Sequence, residues 1–376
     1  MSVLQVKKIL DKATDGERIT VPEGAFLFRV AGLFDIATCA NTLKEQKNPY
    51  SKSHATFVVD RNINYTNYCN TFCKFCAFYR TPGDQKEGYV RTLEEIYHKI
   101  DELIAIGGTQ VLMQGGHNPD LGIEYYESLI QAVRTKYPQI NIHSLSASEI
   151  HHICKVSNQS ISEVLSRLKA VGLESVPGGG AEILVDRVRQ VISPLKIKVN
   201  EYLQVHRTAH EMGMKSTATM VYGLVETIEE RMIHFDVIRS LQDETGGFRA
   251  FIPWSFESQS TQLNLPRRTG EEYLRMIALS RIMLDNVQHL QAGWVTEGTK
   301  LSQVALGFGA DDFGGILMEE NVVSATGSSY SGVTKEETIR LIRQMGKIPV
   351  QRNTRYEFIL EYHEDLAMID MNSGLR

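Results

Sequence analysis

Residues 68–79 have the sequence Tyr-Cys-Asn-Thr-Phe-Cys-Lys-Phe-Cys-Ala-Phe-Tyr, which places Cys69, Cys73 and Cys76 in the order C-x3-C-x2-C. One compact loop can turn three such thiolates inward to three corners of a cubane iron–sulfur cluster. A four-iron cluster normally takes four cysteine ligands. Three cysteines on one loop therefore predict a [4Fe-4S] cluster in which one iron is open to a small molecule.

The same spacing, with the aromatic Phe75 before the last cysteine, resembles the signature of the radical S-adenosylmethionine (SAM) enzymes. In that superfamily the open iron chelates the amino and carboxylate groups of SAM, and an electron from the cluster cleaves SAM to methionine and a 5′-deoxyadenosyl radical. The resemblance implies that Cys69, Cys73 and Cys76 are the cluster ligands. It also implies that SAM is the second cofactor and that Phe75 lies against its adenine.

Two other uses of clustered cysteines fit the sequence less well. A structural zinc site needs four Cys or His ligands, and the nearest histidines, His98 and His117, do not stand at a finger-like spacing. Disulfides are disfavoured by five cysteines without a secretory signal. We interpret Cys39 as a small packed residue, and Cys154 as a buried residue beside a histidine pair on the helix surface, His151 and His152.

The composition of the 376-residue chain is that of a soluble globular protein, with 42% hydrophobic and 23% charged residues and a net charge of −5. Such a length permits one large α/β barrel or two ordinary domains. A mildly acidic chain is a poor general binder of nucleic acid. Residues 1–8 lack the apolar core of a signal peptide, and no stretch approaches the ~18 apolar residues that span a bilayer. We therefore expect a cytoplasmic protein with no nucleic-acid or membrane partner.

From residue 56 onward, short β-rich runs alternate with amphipathic helical segments. The clearest strands are Thr56–Asp60, Thr109–Met113, Gln139–His143, Ser216–Val221 and Phe248–Pro253. Helix starts carry the capping-box pattern, a Ser or Thr followed three residues later by Glu, at Thr92, Ser160, Thr227, Thr269 and Thr334. Strands separated by helices indicate a parallel sheet, and seven or eight candidates favour an α/β fold closed as a (βα)8 TIM-type barrel. We expect a helical extension packed on it over 1–55, the barrel over 56–320, and an extension with a helix over 321–376.

Polar and glycine-rich segments follow the predicted strands, where such barrels place their chemistry. Residues 114–117, Gln-Gly-Gly-His, contain paired glycines that let a backbone approach a ligand closely, although an ordinary βα turn has the same composition. His143 and Ser144 could hydrogen-bond a sugar or carboxylate, but an ordinary Ser-rich helix cap has the same sequence. Three consecutive glycines precede Glu182 near a predicted helix N-terminus, where its charge is favoured. The two tryptophans, Trp254 and Trp294, fall at predicted strand ends, where they either plug the barrel or contact a planar ring.

Four longer motifs indicate which family within the superfamily the chain resembles. They are residues 60–67 (Asp-Arg-Asn-Ile-Asn-Tyr-Thr-Asn), 178–184 (Gly-Gly-Gly-Ala-Glu-Ile-Leu), 242–248 (Gln-Asp-Glu-Thr-Gly-Gly-Phe) and 251–254 (Phe-Ile-Pro-Trp). With the cysteine loop, they resemble the dehypoxanthine futalosine cyclases of the futalosine route to menaquinone. The likeness extends from about residue 5 to about residue 350. The stretches around His117 and Ser148 differ from the family pattern, so no family role is transferred to those two residues.

The resemblance implies a mechanism and a set of partners. The 5′-deoxyadenosyl radical would abstract hydrogen from ribose C4′ of dehypoxanthine futalosine, the carbon radical would add to the benzoate ring, and loss of one electron and one proton would complete the product. Glu182 and His143 are candidates, by residue type, for the final proton acceptor. Gly115 and Gly116 would line the methionine part of SAM, and Gln114 and Ser144 are assigned to the same cofactor-binding set. An external low-potential donor of the flavodoxin or ferredoxin type would supply the electron.

Several alternatives stay open at this point. Aminofutalosine synthase, in which the radical adds to the substrate, has the same expected cofactors, and a deazaflavin-cofactor synthase relative would differ in its substrate. The alternative from another class is a non-catalytic iron–sulfur or zinc protein. An electron carrier would normally close all four cluster corners with cysteine.

Overall fold

Eleven strands appear in the computed structural model, which describes residues 2–327 and 332–363; the remaining parts of the predicted extensions, residues 1, 328–331 and 364–376, lie outside the described residues. The strands are β1 (His54–Val58), β2 (Asp60–Ile63), β3 (Gln110–Met113), β4 (Asn141–Ser144), β5 (Ser175–Val176), β6 (Lys215–Tyr222), β7 (Phe248–Ser255), β8 (His289–Leu290), β9 (Asp312–Gly315), β10 (Ile348–Arg352) and β11 (Phe358–Glu361).

Strands β2 to β8 form a parallel sheet in sequence order. A parallel bridge between Gln291 and Asp312 joins the end of β8 to β9, and β9 pairs in parallel with β1. Strand β1 leads into β2 after one residue, and Met318 N–H, beyond β9, donates to the Asp60 carbonyl at the start of β2 at 3.2 Å. The expected α/β barrel is confirmed: the seven parallel strands β2 to β8 form a curled sheet, and β9 continues the curve toward β1 and the start of β2.

The helices lie between the strands and before the first of them. They are α1 (Ser2–Thr14), α2 (Val21–Val30), α3 (Leu33–Lys47), α4 (Leu93–Ala105), α5 (Ile123–Lys136), α6 (Ala147–Ser157), α7 (Ile161–Ala170), α8 (Asp186–Ile192), α9 (Val199–Glu211), α10 (Ile228–Thr245), α11 (Gly270–Met283), α12 (Trp294–Glu297), α13 (Thr299–Ala305) and α14 (Lys335–Gln344). Helix α2 packs on α10 and helix α3 on α11, which places the N-terminal helices on the outside of the barrel. None of the described helices has the length and apolar content needed to cross a membrane.

The predicted capping residues begin the helices at which they were expected. Thr92, Ser160 and Thr227 form complete capping boxes at α4, α7 and α10, in which the cap side chain and the Glu side chain each satisfy a backbone N–H. Thr269 and Thr334 accept the backbone N–H three residues on, without the return bond from Glu. Local side-chain chemistry thus fixes where these helices start.

The C-terminal segment closes the end of the barrel at which the strands begin. Strand β10 pairs in parallel with β1, and Arg352 at its end forms a buried ion pair with Asp312 of β9, with Nη2 3.0 Å from Oδ1. Beyond it, the Thr354 hydroxyl donates to Gln110 Oε1 at 2.7 Å, and Gln291 Nε2 donates to the Tyr356 hydroxyl at 2.7 Å. Residues 352–356 thus contact β3, β9 and the residue after β8, and they cross the end of the barrel at which these strands begin.

The Arg352–Asp312 pair should carry a large part of this closure. We expect Arg352→Met to cost about 3–5 kcal/mol of unfolding free energy, because it leaves the Asp312 carboxylate buried without its counter-charge. Urea unfolding at neutral pH measures the loss. Arg340→Met, which removes an exposed pair with Glu337, is the matched control and should leave the midpoint unchanged. Equal midpoints for the two variants would contradict the closure.

Candidate active site

The cysteine loop follows β2 and is held by a hydrogen bond within the loop and by bonds to two other parts of the barrel. Cys69 N–H donates to the Arg80 carbonyl at 2.9 Å within the loop. Lys74 N–H donates to the Ile192 carbonyl at the end of α8, and the Lys74 carbonyl accepts Gln262 N–H from the segment after β7, both at 2.9 Å. The loop therefore lies at the carboxyl ends of the strands, as the barrel rule predicts.

The loop packs directly against the glycine pair after β3. A Cβ on Gly116 would lie 2.2 Å from the Tyr68 carbonyl oxygen and 2.9 Å from Cys69 Cβ, so only glycine fits there. His117, the residue that follows, accepts Asn70 N–H on its carbonyl at 3.1 Å, and its Nδ1 lies 2.7 Å from the Thr71 hydroxyl. His117 thus anchors the cysteine loop.

The donor set suits a cluster. Cys69, Cys73 and Cys76 are free thiols on one loop. Within residues 2–327 and 332–363, no three His, Cys, Asp or Glu side chains converge to hold a single metal ion. A cubane does not require convergence, since each thiolate binds its own iron. The residues present therefore fit the group that the loop predicts.

Burial is the largest influence on the pKa of two of the loop thiols, Cys73 and Cys76. It raises the pKa of Cys73 to about 12, against the opposing charge of Lys196. Burial also raises the pKa of Cys76, against the backbone N–H groups of Tyr79 and Phe78, which favour its thiolate. Thiols must lose their protons to become metal ligands, so ligation and deprotonation are coupled here.

The buried carboxylate of Glu149 binds the backbone of the glycine pair. Glu149 Oε1 accepts Gly115 N–H at 2.8 Å and the Tyr65 hydroxyl at 2.6 Å, while Oε2 accepts Ser146 N–H at 2.8 Å. Burial is the largest influence on Glu149 and raises its pKa, against these hydrogen bonds. Ser146 and Glu149 form a capping box at the start of α6. That local pattern was the one sequence signal for Glu149, and it gave no hint of the contact with Gly115.

A cavity of about 340 Å³ extends from the cysteine loop into the barrel. Phe75 and Cys76 line it at one end, and Trp254 and Trp294 contribute to its wall. The indole Nε1 of Trp294 donates to the Gly315 carbonyl at 2.8 Å, which fixes that ring. Both tryptophans therefore face the interior of the barrel, next to the cysteine loop.

Glu182 lines the cavity and lies in an ion-pair network. Its Oε1 is 2.8 Å from Lys196 Nζ and its Oε2 is 3.4 Å from Arg189 Nη1. The residue has a φ of +41°, in the left-handed region that favours glycine. Lys196 Nζ in turn lies 5.4 Å from the centre of the Phe75 ring. Sequence reasoning missed Lys196, because nothing in its local pattern links it to Glu182.

Of the other predicted site residues, two line the cavity and one is buried away from it. Gln114 and His143 line the cavity. His143 Nδ1 is 2.7 Å from the Ser175 hydroxyl, and burial, assisted by the charge of Arg249, lowers the pKa of His143 to about 3. Ser144 is fully buried, and its hydroxyl accepts Met113 N–H at 3.2 Å. That bond joins β3 to β4, and Ser144 does not line the cavity.

The interpretation of the two histidines on α6 was wrong for one of them. His152 is buried, stacks on His117 with ring centres 5.0 Å apart, and lies 3.0 Å from the Asn118 carbonyl through Nε2. His151 is half-buried and lies 3.3 Å from Glu201. Cys154 and Cys39 are buried, as expected. The helix face was misassigned because the segment after β3 covers it.

Comparison with known proteins agrees with the geometry. Residues 63–238 match the model of the Radical SAM superfamily, and residues 245–364 match that of the CofH/MqnC C-terminal region. The chain is 44% identical to the cyclic dehypoxanthine futalosine synthase of Streptomyces coelicolor, over 96% of this chain and 90% of that protein. It is 42% identical to the synthase of the same name from Halalkalibacterium halodurans, over 97% and 98%.

A further relative and a solved structure complete the comparison. The chain is 38% identical to the aminodeoxyfutalosine synthase of Thermus thermophilus, over 93% of this chain and 94% of that protein. The FeFe-hydrogenase maturase HydG from Carboxydothermus hydrogenoformans superposes with a TM-score of 0.72 at 16% identity, over 93% of this chain and 80% of that chain. At that identity the superposition shows a shared fold alone.

Proposed function

The chain belongs to the radical SAM superfamily, in the family of the cyclic dehypoxanthine futalosine synthases, and we propose that it cyclises dehypoxanthine futalosine to cyclic dehypoxanthinyl futalosine in menaquinone biosynthesis. The observation that carries this proposal is the near-full-length identity to two synthases of that name. The cavity beside the cysteine loop supports it, since it offers an apolar wall to an aromatic ring.

The superfamily uses a [4Fe-4S] cluster and SAM. We assign Cys69, Cys73 and Cys76 as the three cluster ligands, which leaves the fourth iron to SAM. Gln114, Gly115 and Gly116 would line the methionine part, and Phe75 would lie against the adenine. When bound, this pair supplies a 5′-deoxyadenosyl radical that takes the hydrogen from ribose C4′.

The protein's own task is to position the substrate and exclude water. A primary carbon radical reacts with whichever hydrogen is nearest, so ribose C4′ must be held in place before the radical forms. The tryptophan-lined wall would hold the benzoate ring within reach of C4′ in a space from which water is excluded. Closure of the ring system would then release one proton to a base and one electron to an external acceptor. Together with the hydrogen taken from C4′, this leaves the product with two hydrogens fewer than the substrate.

We propose Glu182 as the acceptor of that proton. The alternative, His143, is a weak base in this setting, because burial and Arg249 hold its pKa at about 3. Glu182 reaches the same cavity, and Lys196 and Arg189 hold its carboxylate in place.

An external low-potential donor of the flavodoxin or ferredoxin type would reduce the cluster. A cytoplasmic location would suit both that donor and an oxygen-sensitive cluster.

Mass spectrometry of the products tests the proposal. The anaerobically reconstituted protein, incubated with SAM, a strong reductant and dehypoxanthine futalosine, should give free 5′-deoxyadenosine and a product two mass units lighter than the substrate. A nucleoside-linked adduct would instead indicate radical addition, as in the aminofutalosine synthase alternative. Unchanged substrate alongside SAM cleavage would also contradict the proposal.

Cluster ligation can be tested one cysteine at a time. Cys69→Ala, Cys73→Ala and Cys76→Ala should each abolish the cluster absorbance and SAM cleavage, because each leaves a second iron without a protein ligand. Cys39→Ala and Cys154→Ala, which alter buried cysteines away from the loop, should keep both. Full iron content and SAM cleavage in any of the three loop variants would refute the assignment of that cysteine.

The role of Glu182 predicts a separation of two products. In Glu182→Gln, cyclised product should fall roughly 100-fold, in the range of general-base effects, while 5′-deoxyadenosine continues to form. Glu257→Gln, at another cavity carboxylate paired with an arginine, is the matched control and should cyclise normally. If Glu182→Gln and His143→Gln both cyclise at the wild-type rate, neither residue is the acceptor.

A further inference from the structure

Arg249 reaches the cavity because of an irregularity in its strand. Ser216 of β6 pairs with Phe248, and the next residue, Thr217, pairs with Ala250, so Arg249 is an extra residue on β7. Such a bulge changes the direction of a side chain. Phe248 packs outward against His210 of α9 at 4.9 Å, whereas Arg249 lines the cavity at the end opposite the cysteine loop.

The charge of Arg249 is poorly matched by its surroundings. Its Nη1 donates to the Thr354 carbonyl at 2.7 Å, and its buried Nε has no hydrogen-bond partner within the part of the chain that the structure describes. Burial lowers the pKa of Arg249 to about 10. Arg352, the other arginine that lines the cavity, is matched by Asp312.

The neighbouring acidic groups are already engaged. Glu174 favours the charge of Arg249 from a distance, but it pairs with Arg134 and accepts from Asn141 Nδ2 at 2.5 Å. Asp60 accepts from Gln110 Nε2 and from Leu317 N–H. Arg249 is half-buried, and removing part of a guanidinium from water is costly unless a partner of opposite charge meets it.

A purely structural role accounts for little of this arrangement. The Thr354 carbonyl takes one of the five N–H groups of the guanidinium, and a neutral donor would serve that contact equally well. Arg249 also lines a second depression, together with Glu174 and Thr354. It thus stands at the far end of the cavity, with an apolar wall from Ile252 and Trp254 between it and the cysteine loop.

We propose that Arg249 is the binding site for the carboxylate of the substrate, at the end of the cavity farthest from the cluster. The inference rests on the proposed function, whose substrate carries a benzoate group. A guanidinium binds a carboxylate through paired N–H donors, and such pairing with Arg249 would fix the direction of the aromatic ring. The ring would then lie along Ile252 and Trp254, with the ribose toward Phe75 and Cys76.

Binding of the aromatic acid alone tests the site without turnover. In calorimetry on the reconstituted holoenzyme, wild type should bind benzoate more tightly than its neutral analogue benzamide. Arg249→Met should weaken benzoate binding roughly 10- to 100-fold, the range for a hydrogen bond to a charged group, and leave benzamide unchanged. Arg249→Lys should recover part of the preference. Arg355→Met, at an exposed arginine of the same region, is the matched control and should behave as wild type.

Kinetics give a second, separate result. For dehypoxanthine futalosine, Arg249→Met should raise KM by the same factor and change kcat less, while the cluster spectrum and SAM cleavage stay at wild-type levels. Equal benzoate affinity in wild type and Arg249→Met, or no preference of wild type for benzoate over benzamide, overturns the site. The comparison of benzoate with benzamide uses the wild-type protein alone, so it can overturn the site even if Arg249→Met does not fold. A wild-type protein that prefers benzoate but forms no cyclised product supports the site and refutes the proposed function.

Discussion

The close approach of Gly116 to the cysteine loop is the constraint on which the site depends. A side chain at Gly116 would overlap the Tyr68 carbonyl and Cys69 Cβ, so at Gly116 the segment after β3 can approach the loop after β2 only as bare backbone. Glu149 holds the same segment from below by accepting Gly115 N–H. The glycine pair thus has two consequences: it fixes one cysteine, and it presents backbone groups beside the predicted cluster.

The two ends of the barrel have different roles, because polar side chains pair with one another at one end and face the cavity at the other. At the end where the strands begin, Arg352 and Asp312 neutralise each other and the chain after β10 crosses the opening. At the other end, the cysteine loop and Glu182 face the cavity. A radical enzyme needs this asymmetry, since one end must admit substrate while the interior stays free of water. Arg249 is the exception, a half-buried charge whose partner we assign to the substrate.

Sequence patterns predicted what short-range chemistry determines. Capping boxes such as Thr92 with Glu95 located helix starts, and alternating strands and helices gave the barrel. Contacts between distant segments were not predictable. The pairing of Glu182 with Lys196 joins two loops, and the crossing by Thr354 depends on β10 having first paired with β1. Arg249 had one signal, a charge inside an apolar strand, but its direction follows from a bulge that no local pattern marks.

The central claim is that three cysteines leave one iron of the cluster free to bind SAM beside the substrate cavity. Pulsed electron–nuclear double resonance on the reduced cluster tests it most directly, with SAM labelled with ¹⁵N in its amino group. The account predicts a ¹⁵N hyperfine coupling in wild type that is absent when unlabelled SAM is used. A reduced cluster whose spectrum is unchanged by labelled SAM would contradict it.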